Sequence, residues 1–202
     1  MLLLGRANCS ILAPYAGGTY DAHVASCMAG PASCAGSSQA AGEFMSATDV
    51  RLFRSVRKDE FPDGTIIDDK PAPGVLHPSF APKAYEQRLR GGEIVKKVRA
   101  ADTIPFPVDG VMMVAPFKGT SLFDKEKAFG IAHWWYFTIP AGTEVPNSIV
   151  VRHTGRNETY GAEHYQIEPA MGRMRLDAYK GALDNFARAA IVKFIAESRG
   201  KQ

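Results

Sequence analysis

Residues 173–200 carry apolar side chains at steps of three and four, the spacing that places them on one face of an α-helix. The apolar positions are Leu176, Tyr179, Leu183, Phe186, Ala190 and Phe194. Asp184 and Arg188 add a favourable charge pair four residues apart, and Gly200 is a residue type that commonly ends helices. We therefore predict a long C-terminal amphipathic helix whose apolar stripe packs on a core and carries no chemistry of its own.

The residues before this helix are patterned mainly as short strands. Most of the candidate strands are bounded by Gly, Pro or Asn, which favour turns. The predicted strands are 50–56, Val108–Ala115, Trp134–Ile139, Ser148–His153 and Glu163–Glu168. Between residues 61 and 85, five prolines interrupt any strand ladder, so this passage is expected to be a long irregular loop.

A second helix is predicted to begin at Thr120 or Ser121. A hydroxyl side chain there can cap the helix, and Asp124 suits the positive end of the helix dipole. Several strands with two or three helices, without a regular alternation of strand and helix, indicate an α+β fold.

The N-terminal segment differs in composition from the rest of the chain. Residues 1–42 are rich in Ala, Gly and Ser, and Arg6 and Asp21 are their only charged residues. Such a segment buries too little apolar surface to offset the entropy of ordering it. We therefore expect residues 1–45 to form a disordered tail and residues 46–202 to form the folded domain.

Charge and cysteine content exclude several classes of function. The net charge of +3 is too mild to indicate a nucleic-acid or membrane partner, and no apolar run reaches the roughly 18 to 20 residues of a membrane span. All three cysteines lie in the first 34 residues, without the spacing of zinc ligands. We therefore predict no disulfide framework in the main domain and no metal site.

Arg54 raises the first question about chemistry. In a strand over residues 50–56, alternation places Arg54 on the same face as Leu52 and Val56. A guanidinium is costly to bury without a partner. Either a buried carboxylate pairs with Arg54, or this face lines a cleft that receives an anion.

Two further stretches offer polar groups that could carry chemistry. Thr120 and Ser121 either only cap a helix or use the same geometry to bind an anion or a ribose. In the strand EHYQIEP, His164, Gln166 and Glu168 share one face, which either meets water or lines a site. The aromatic run HWWYFTI is more typical of core than of a stacking platform.

Taken together in order, these stretches resemble a family of exported bacterial type VI secretion toxins whose fold is similar to ADP-ribosyltransferases. The similar pieces run from residue 51 to residue 200. They are LFRSV, the region from GVLHPSF to VMMVAP, GTSLFD, IPAGTEVP, EHYQIEPA and LDNFARAA. The resemblance implies a split, mostly antiparallel β core with flanking helices.

The resemblance also implies roles for individual residues. Arg54 corresponds to the first-strand Arg of the transferase fold, which binds the cofactor. Thr120 and Ser121 correspond to a Thr-Ser pair that the toxins need, and His164 corresponds to the His of the third motif. Many transferases carry a catalytic Glu on that strand, which the toxins do not keep reliably, so Glu168 is either catalytic or incidental.

The activity implied is a cytotoxic, NAD-dependent transfer of ADP-ribose to an intracellular macromolecule, with NAD consumed as a substrate. The protein would be secreted or translocated, would act in the cytoplasm of a target cell and would be held in check by a cognate immunity protein. Three alternatives remain open. They are a non-catalytic interaction module on the same fold, an NAD glycohydrolase, and an enzyme resembling RNA 2′-phosphotransferases.

Overall fold

The computed structural model describes residues 46–89 and 91–200. The predicted tail, residues 1–45, lies outside the described residues. Within the described part of the chain, no helix is both long and apolar enough to cross a membrane. One helix is present in this part of the chain, and the other regular elements are strands.

The elements in chain order are β1 (Ser46–Ala47), β2 (Leu52–Arg57), β3 (Ile66–Ile67), β4 (Lys70–Pro71), β5 (Lys83–Arg88), β6 (Ile94–Arg99), β7 (Phe106–Val108), β8 (Val111–Val114), β9 (Thr120–Phe123), β10 (Trp134–Ile139), β11 (Glu144–Val145), β12 (Ile149–Asn157), β13 (Ala162–Pro169), β14 (Met174–Arg175) and α1 (Leu176–Arg199).

A five-stranded sheet in the order β10-β2-β9-β13-β12 forms the centre of the fold, and all its pairings are antiparallel. A three-stranded sheet, β14-β8-β7, is separate from it, as are the three pairs β1-β11, β3-β4 and β5-β6. No βαβ unit occurs among the described elements. The antiparallel sheets with one C-terminal helix confirm the predicted α+β fold with its mostly antiparallel β core.

Helix α1 supplies the apolar side chains that close the core. Its buried residues are Tyr179, Ala182, Leu183, Phe186, Ala187, Ala190 and Ile191. They pack with side chains of the central sheet, including Leu52, Leu122 and Ile167. Each large apolar side chain buried in this way contributes about 1.5–3 kcal/mol. The helical stripe predicted from the sequence is therefore a core face, except at its end, where Phe194 is exposed.

Most of the predicted strands are present with small shifts at their ends. Trp134–Ile139 is unchanged, and the strand predicted at Val108–Ala115 is divided into β7 and β8 by a turn at Asp109 and Gly110. Both turn residues have positive φ, 49° and 77°. An Asp-Gly pair is a typical two-residue hairpin turn because Gly takes this backbone conformation without strain.

The passage over residues 61–85, predicted to be irregular throughout, also contains regular structure. It contains the short pair β3-β4, and β5 begins at Lys83. Pro71 is tolerated in β4 because that strand belongs to an isolated two-stranded sheet, where one of its edges needs no ladder hydrogen bond.

The helix predicted at Thr120 or Ser121 is wrong, because this stretch forms strand β9. The Thr120 hydroxyl does not cap a helix but donates to the Leu76 carbonyl at 2.5 Å. Asp124 accepts instead from the backbone N–H of Glu163 at 2.8 Å, next to the end of the β9-β13 ladder. Leu122 is fully buried. The polar groups that resembled capping residues are therefore hydrogen-bonded to residues that are distant in the sequence.

The central sheet opens between β2 and β9. These strands share a single residue pair, Phe53 with Phe123, whereas β2 and β10 share six pairs and β9 and β13 share four. The two halves of the sheet are thus held together at one point. This split leaves room for a cleft beside Arg54 and Ser121.

Candidate functional site

A cleft of about 1200 Å³ lies at this split. Small-molecule and cofactor sites usually measure about 300–1,000 Å³, so the space is ample for a dinucleotide. Arg54, Ser121 and His164 all line the cleft, and they come from β2, β9 and β13. The fold therefore brings together three residues that the sequence separates by up to 110 positions.

Arg54 lies on the core face of β2, directly opposite the fully buried Phe137 of β10. Its Nη1 donates to the Ser121 carbonyl at 3.1 Å and its Nη2 donates to the His77 carbonyl at 3.2 Å. The guanidinium thus links the two strands next to their single pairing point. Its Nε is buried without a hydrogen-bond partner. The Arg54 side chain as a whole is 12% exposed and lines the cleft.

Asp102 supplies part of the counter-charge for Arg54. Its Oδ2 lies 3.5 Å from Nη2 of Arg54, which is long for a hydrogen bond, and it accepts from the Ser79 backbone N–H at 2.9 Å. Burial lowers the pKa of Arg54, and the negative charge of Asp102 partly offsets this effect. Arg54 therefore has a partly exposed carboxylate neighbour and also lines the cleft.

An aromatic cluster forms another part of the cleft wall. It consists of Phe123, Phe129, Trp134, Tyr160 and His164. The ring centroids of Phe129 and Tyr160 are 4.4 Å apart, and those of Phe123 and His164 are 5.1 Å apart. Flat apolar rings of this kind suit stacking with another planar ring. The aromatic run HWWYFTI is therefore divided, since Phe137 is core whereas Trp134 faces the cleft.

His164 is held by Thr154 across a β-bulge in β12. The Thr154 hydroxyl donates to the His164 carbonyl at 3.0 Å, and its oxygen lies 2.5 Å from Nδ1 of the same residue. Because the hydroxyl has one proton, these two contacts together require the ring proton on Nδ1, which leaves Nε2 as an acceptor. Burial lowers the pKa of His164, and the nearby His153 adds to this effect. The lowered pKa favours the neutral form of the His164 ring.

Thr120 lies behind the cleft rather than in its wall. Its side chain is fully buried, and its hydroxyl is bonded to the Leu76 carbonyl. Burial raises the pKa of the neighbouring Tyr179 to about 12, and a hydrogen bond with Thr120 partly offsets this rise. Thr120 thus supports the position of Ser121 from the core side of β9.

Glu168 is also outside the cleft wall. Its side chain is 1% exposed, where its two oxygens contact Nε of Arg152 and the backbone N–H of Phe117. His164 and Glu168 share one face of β13, as alternation predicted, but only His164 lies where the sheet opens. The position of Glu168 along the strand therefore separates it from His164.

Several residues around the cleft had no recognisable signal in the sequence. Asp102 and His77 contact Arg54 from loops 48 and 23 residues away. A buried Arg needs a hydrogen-bond acceptor, but no pattern in the sequence identified which residue supplies it. Phe129 and Tyr160 sit in turns, where aromatic residues have no periodic pattern. In the described part of the chain, no group of three or more His, Cys, Asp or Glu side chains is placed to hold a metal ion.

Comparison with known proteins identifies the family of this fold. A family model described as the Tse2 ADP-ribosyltransferase toxin matches residues 44–195. The chain is also 30% identical over 163 residues to a protein named Toxin Tse2 from Pseudomonas aeruginosa. That match covers 76% of this chain and 95% of the relative. The family-model match spans the whole cleft and confirms the toxin resemblance drawn from the sequence.

Proposed function

The chain belongs to the Tse2 family of ADP-ribosyltransferase toxins, and we propose that it consumes NAD and transfers ADP-ribose to a macromolecule inside a target cell. The observation that carries this proposal is the cleft at the split of the sheet. Arg54, Ser121 and His164 meet there beside a cluster of aromatic rings. A dinucleotide with a charged pyrophosphate, two riboses and a planar nicotinamide is complementary to such a lining.

The proposed reaction breaks the bond between nicotinamide and C1 of its ribose. The bonding electrons leave with nicotinamide, an oxocarbenium-like ribose forms, and an acceptor nucleophile then bonds to C1 and loses its proton. Binding orients NAD by its charged and hydroxyl groups and leaves C1 open to attack. Stabilising the developing positive charge calls for neutral or negative groups near C1.

The contacts of each lining residue support a role in this reaction. Arg54 lines the cleft with a positive charge that can attract the pyrophosphate, and the Ser121 hydroxyl can hydrogen-bond a ribose hydroxyl. Neutral His164 offers Nε2 as an acceptor to the ribose without placing a positive charge beside the oxocarbenium ion. The aromatic cluster provides planar surfaces on which the nicotinamide ring can stack.

Delivery and control follow the family by analogy. We propose that the protein is a type VI secretion effector that acts in the cytoplasm of the target cell. A cognate immunity protein in the producing cell would protect that cell from the toxin. The cleft is wide and open to a partner, so blocking NAD entry would be sufficient for protection.

The test is to incubate the purified protein with NAD labelled on its adenylate half and with a cell extract. Free nicotinamide together with labelled macromolecules is the expected result. Nicotinamide without labelling would indicate an NAD glycohydrolase, and phosphate transfer from RNA to NAD would indicate the phosphotransferase alternative. No reaction with any extract would favour a non-catalytic interaction module and would overturn the proposal.

Ser121→Ala and Ser198→Ala provide the matched comparison. Ser121 lines the cleft, whereas Ser198 is exposed near the end of α1 and donates to the Phe194 carbonyl. Ser121→Ala should lose nicotinamide release and relieve growth arrest when the protein is expressed in a cytoplasm, with an unchanged melting temperature. Ser198→Ala should retain both activities.

A further inference from the structure

The loop of Phe117, Lys118 and Gly119 enters strand β9 in an unusual conformation. Phe117 has a φ of 68°, in the left-handed region that an aromatic residue rarely adopts, and its side chain is 75% exposed. Such a backbone conformation is strained and persists only where surrounding contacts hold it. Strand β13 and helix α1 supply the contacts that hold this loop.

Three consecutive backbone N–H groups of the loop donate to two side chains of β13. The Phe117 N–H donates to Oε2 of Glu168 at 2.5 Å. With its amide oxygen turned toward the loop, Gln166 accepts from Lys118 at 3.0 Å and from Gly119 at 2.6 Å. Glu168 and Gln166 therefore form a clamp on the loop backbone, and we use the name loop clamp for this pair.

Close packing behind the loop leaves it no alternative position on that side. A Cβ on Gly119 would lie 1.9 Å from the Ile167 carbonyl oxygen and 2.7 Å from the Tyr179 hydroxyl. The Tyr179 hydroxyl itself donates to the Ile167 carbonyl at 2.8 Å, so this carbonyl is held in place. The loop is thus packed against the backbone of β13 and Tyr179 of α1, and its N–H groups are bonded to the loop clamp on the same strand.

Both oxygens of Glu168 are occupied by these structural contacts. Oε2 accepts from Phe117, and Oε1 contacts Arg152, whose guanidinium also lies 5.9 Å from the centroid of the Phe117 ring. The carboxylate is almost inaccessible to solvent and is absent from the lining of the cleft. A ligand in the cleft would have to displace both partners to reach it.

We propose that Glu168 and Gln166 are positioning residues whose loop clamp fixes the start of β9 and thereby places Ser121 in the cleft. The consequence for turnover rests on the proposed function, since Ser121 matters there only if the cleft processes NAD. The clamp requires an oxygen acceptor at residue 168, not a negative charge. The need for an acceptor alone distinguishes this positioning role of Glu168 from a catalytic role, in which the charge of the carboxylate would stabilise the ribose cation.

The experiment compares Glu168→Ala, Glu168→Gln and the control Glu163→Ala. Glu168→Gln keeps an acceptor oxygen of the same reach but removes the charge. Glu163 is a partly exposed carboxylate on the same strand, paired with His153 and Arg156 and not with the loop. Amide hydrogen exchange of the loop and steady-state nicotinamide release are measured for each variant.

Glu168→Ala should accelerate exchange at the Phe117 amide at least about tenfold, because the opened loop loses its acceptor. It should lower kcat roughly 100-fold with little change in KM for NAD, because a misplaced group costs turnover more than binding. Glu168→Gln should stay within about threefold of the wild type in both measurements, and so should Glu163→Ala.

Gln166 gives an independent pair of variants in case Glu168→Ala does not fold. Gln166→Leu removes the acceptor of Lys118 and Gly119, whereas Gln166→Glu keeps an acceptor oxygen. The first should accelerate exchange at these two amides and the second should restore their protection.

Two results would overturn the loop clamp. One is unchanged exchange in both Glu168→Ala and Gln166→Leu. The other is loss of turnover in Glu168→Gln with normal loop exchange, which would make the carboxylate itself catalytic. Because exchange is measured without NAD, a wild-type protein that never releases nicotinamide would overturn the proposed function but not the clamp.

Discussion

At the scale of single residues, Arg54 combines two requirements that are usually met by different side chains. Its Nη1 and Nη2 donate to the carbonyls of Ser121 and His77, while the side chain also lines the cleft. A planar guanidinium can satisfy several acceptors in fixed directions at once, and an ammonium cannot. The residue therefore both joins the two halves of the sheet and lines the cleft.

Substitution of Arg54 should separate these two roles. Arg54→Ala leaves two carbonyls without a donor, each costing about 1–3 kcal/mol of unfolding free energy, although Asp102 keeps its contact with Ser79. Arg54→Lys should recover part of this stability but release nicotinamide poorly, because an ammonium cannot donate to both carbonyls in fixed directions and also bind a pyrophosphate oxygen. Thermal melting and nicotinamide release are measured on both.

Arg51→Ala, next to the start of β2 and outside the cleft lining, is the control for Arg54. Its side chain is 47% exposed and paired with Glu197, so loss of this ion pair should cost at most about 1 kcal/mol. A variant of Arg54 that melts early but, once folded, releases nicotinamide at the normal rate would leave the residue with a structural role only.

His164 should make stability depend on pH in a known direction. Because burial lowers its pKa below the ordinary 6.5, the unfolded chain binds a proton more readily than the folded protein in this window. The contribution of His164 to the free energy of unfolding therefore falls as the pH drops below about 6.5 and does not change above that value. Urea unfolding at about pH 7.5 and about pH 5.5 should show a smaller difference for His164→Gln than for the wild type. An equal difference in both proteins would show that His164 does not titrate abnormally.

At the scale of elements, strand β9 shows how local signals can mislead. Gly119, Thr120, Ser121 and Asp124 have the composition of a helix start, yet they form a strand and its end. The Thr120 hydroxyl donates to the carbonyl of Leu76, 44 residues away in sequence. A cap contributes only about 1 kcal/mol, which burial of Leu122 and pairing with two strands exceed.

Gly119→Ala should test the close packing at the entry to β9. The added methyl group meets the Ile167 carbonyl and the Tyr179 hydroxyl, so we expect a loss of about 1–3 kcal/mol in unfolding free energy. Gly181→Ala is the matched control, because nothing lies within 4 Å of its added Cβ and it sits in helix α1. That control should stabilise the protein by about 0.5–1 kcal/mol in chemical denaturation. Equal effects at both positions would contradict the packing described for Gly119.

At the scale of the whole molecule, the described residues from β2 to α1 supply the buried core, and the family match begins at residue 44. We therefore expect a chain lacking residues 1–45 to melt at nearly the same temperature as the full chain and to release nicotinamide at the same rate. Differential scanning calorimetry of the two chains checks this. A drop of several degrees in the shortened chain would show that the removed segment contributes to the folded domain.

The sequence by itself determined the elements whose patterns are local and periodic. Helix α1 ends before Gly200 as predicted, and strand β10 has its predicted bounds, because their burial patterns repeat within a few residues. Alternation also placed Arg54 on the apolar face of β2 and aligned His164 with Glu168 on β13. The family could be recognised because several such local pieces occur in order.

Only the tertiary structure decided which of these residues share a site. The split between β2 and β9 exists because the two strands meet at one pair, a property of sheet order that no segment carries alone. It brings Arg54, Ser121 and His164 to one cleft, whereas Glu168, four residues from His164, is buried against Phe117. Contacts between distant segments are set by packing and by the hydrogen bonds that buried polar groups must find, and those partners cannot be read from neighbours in the chain.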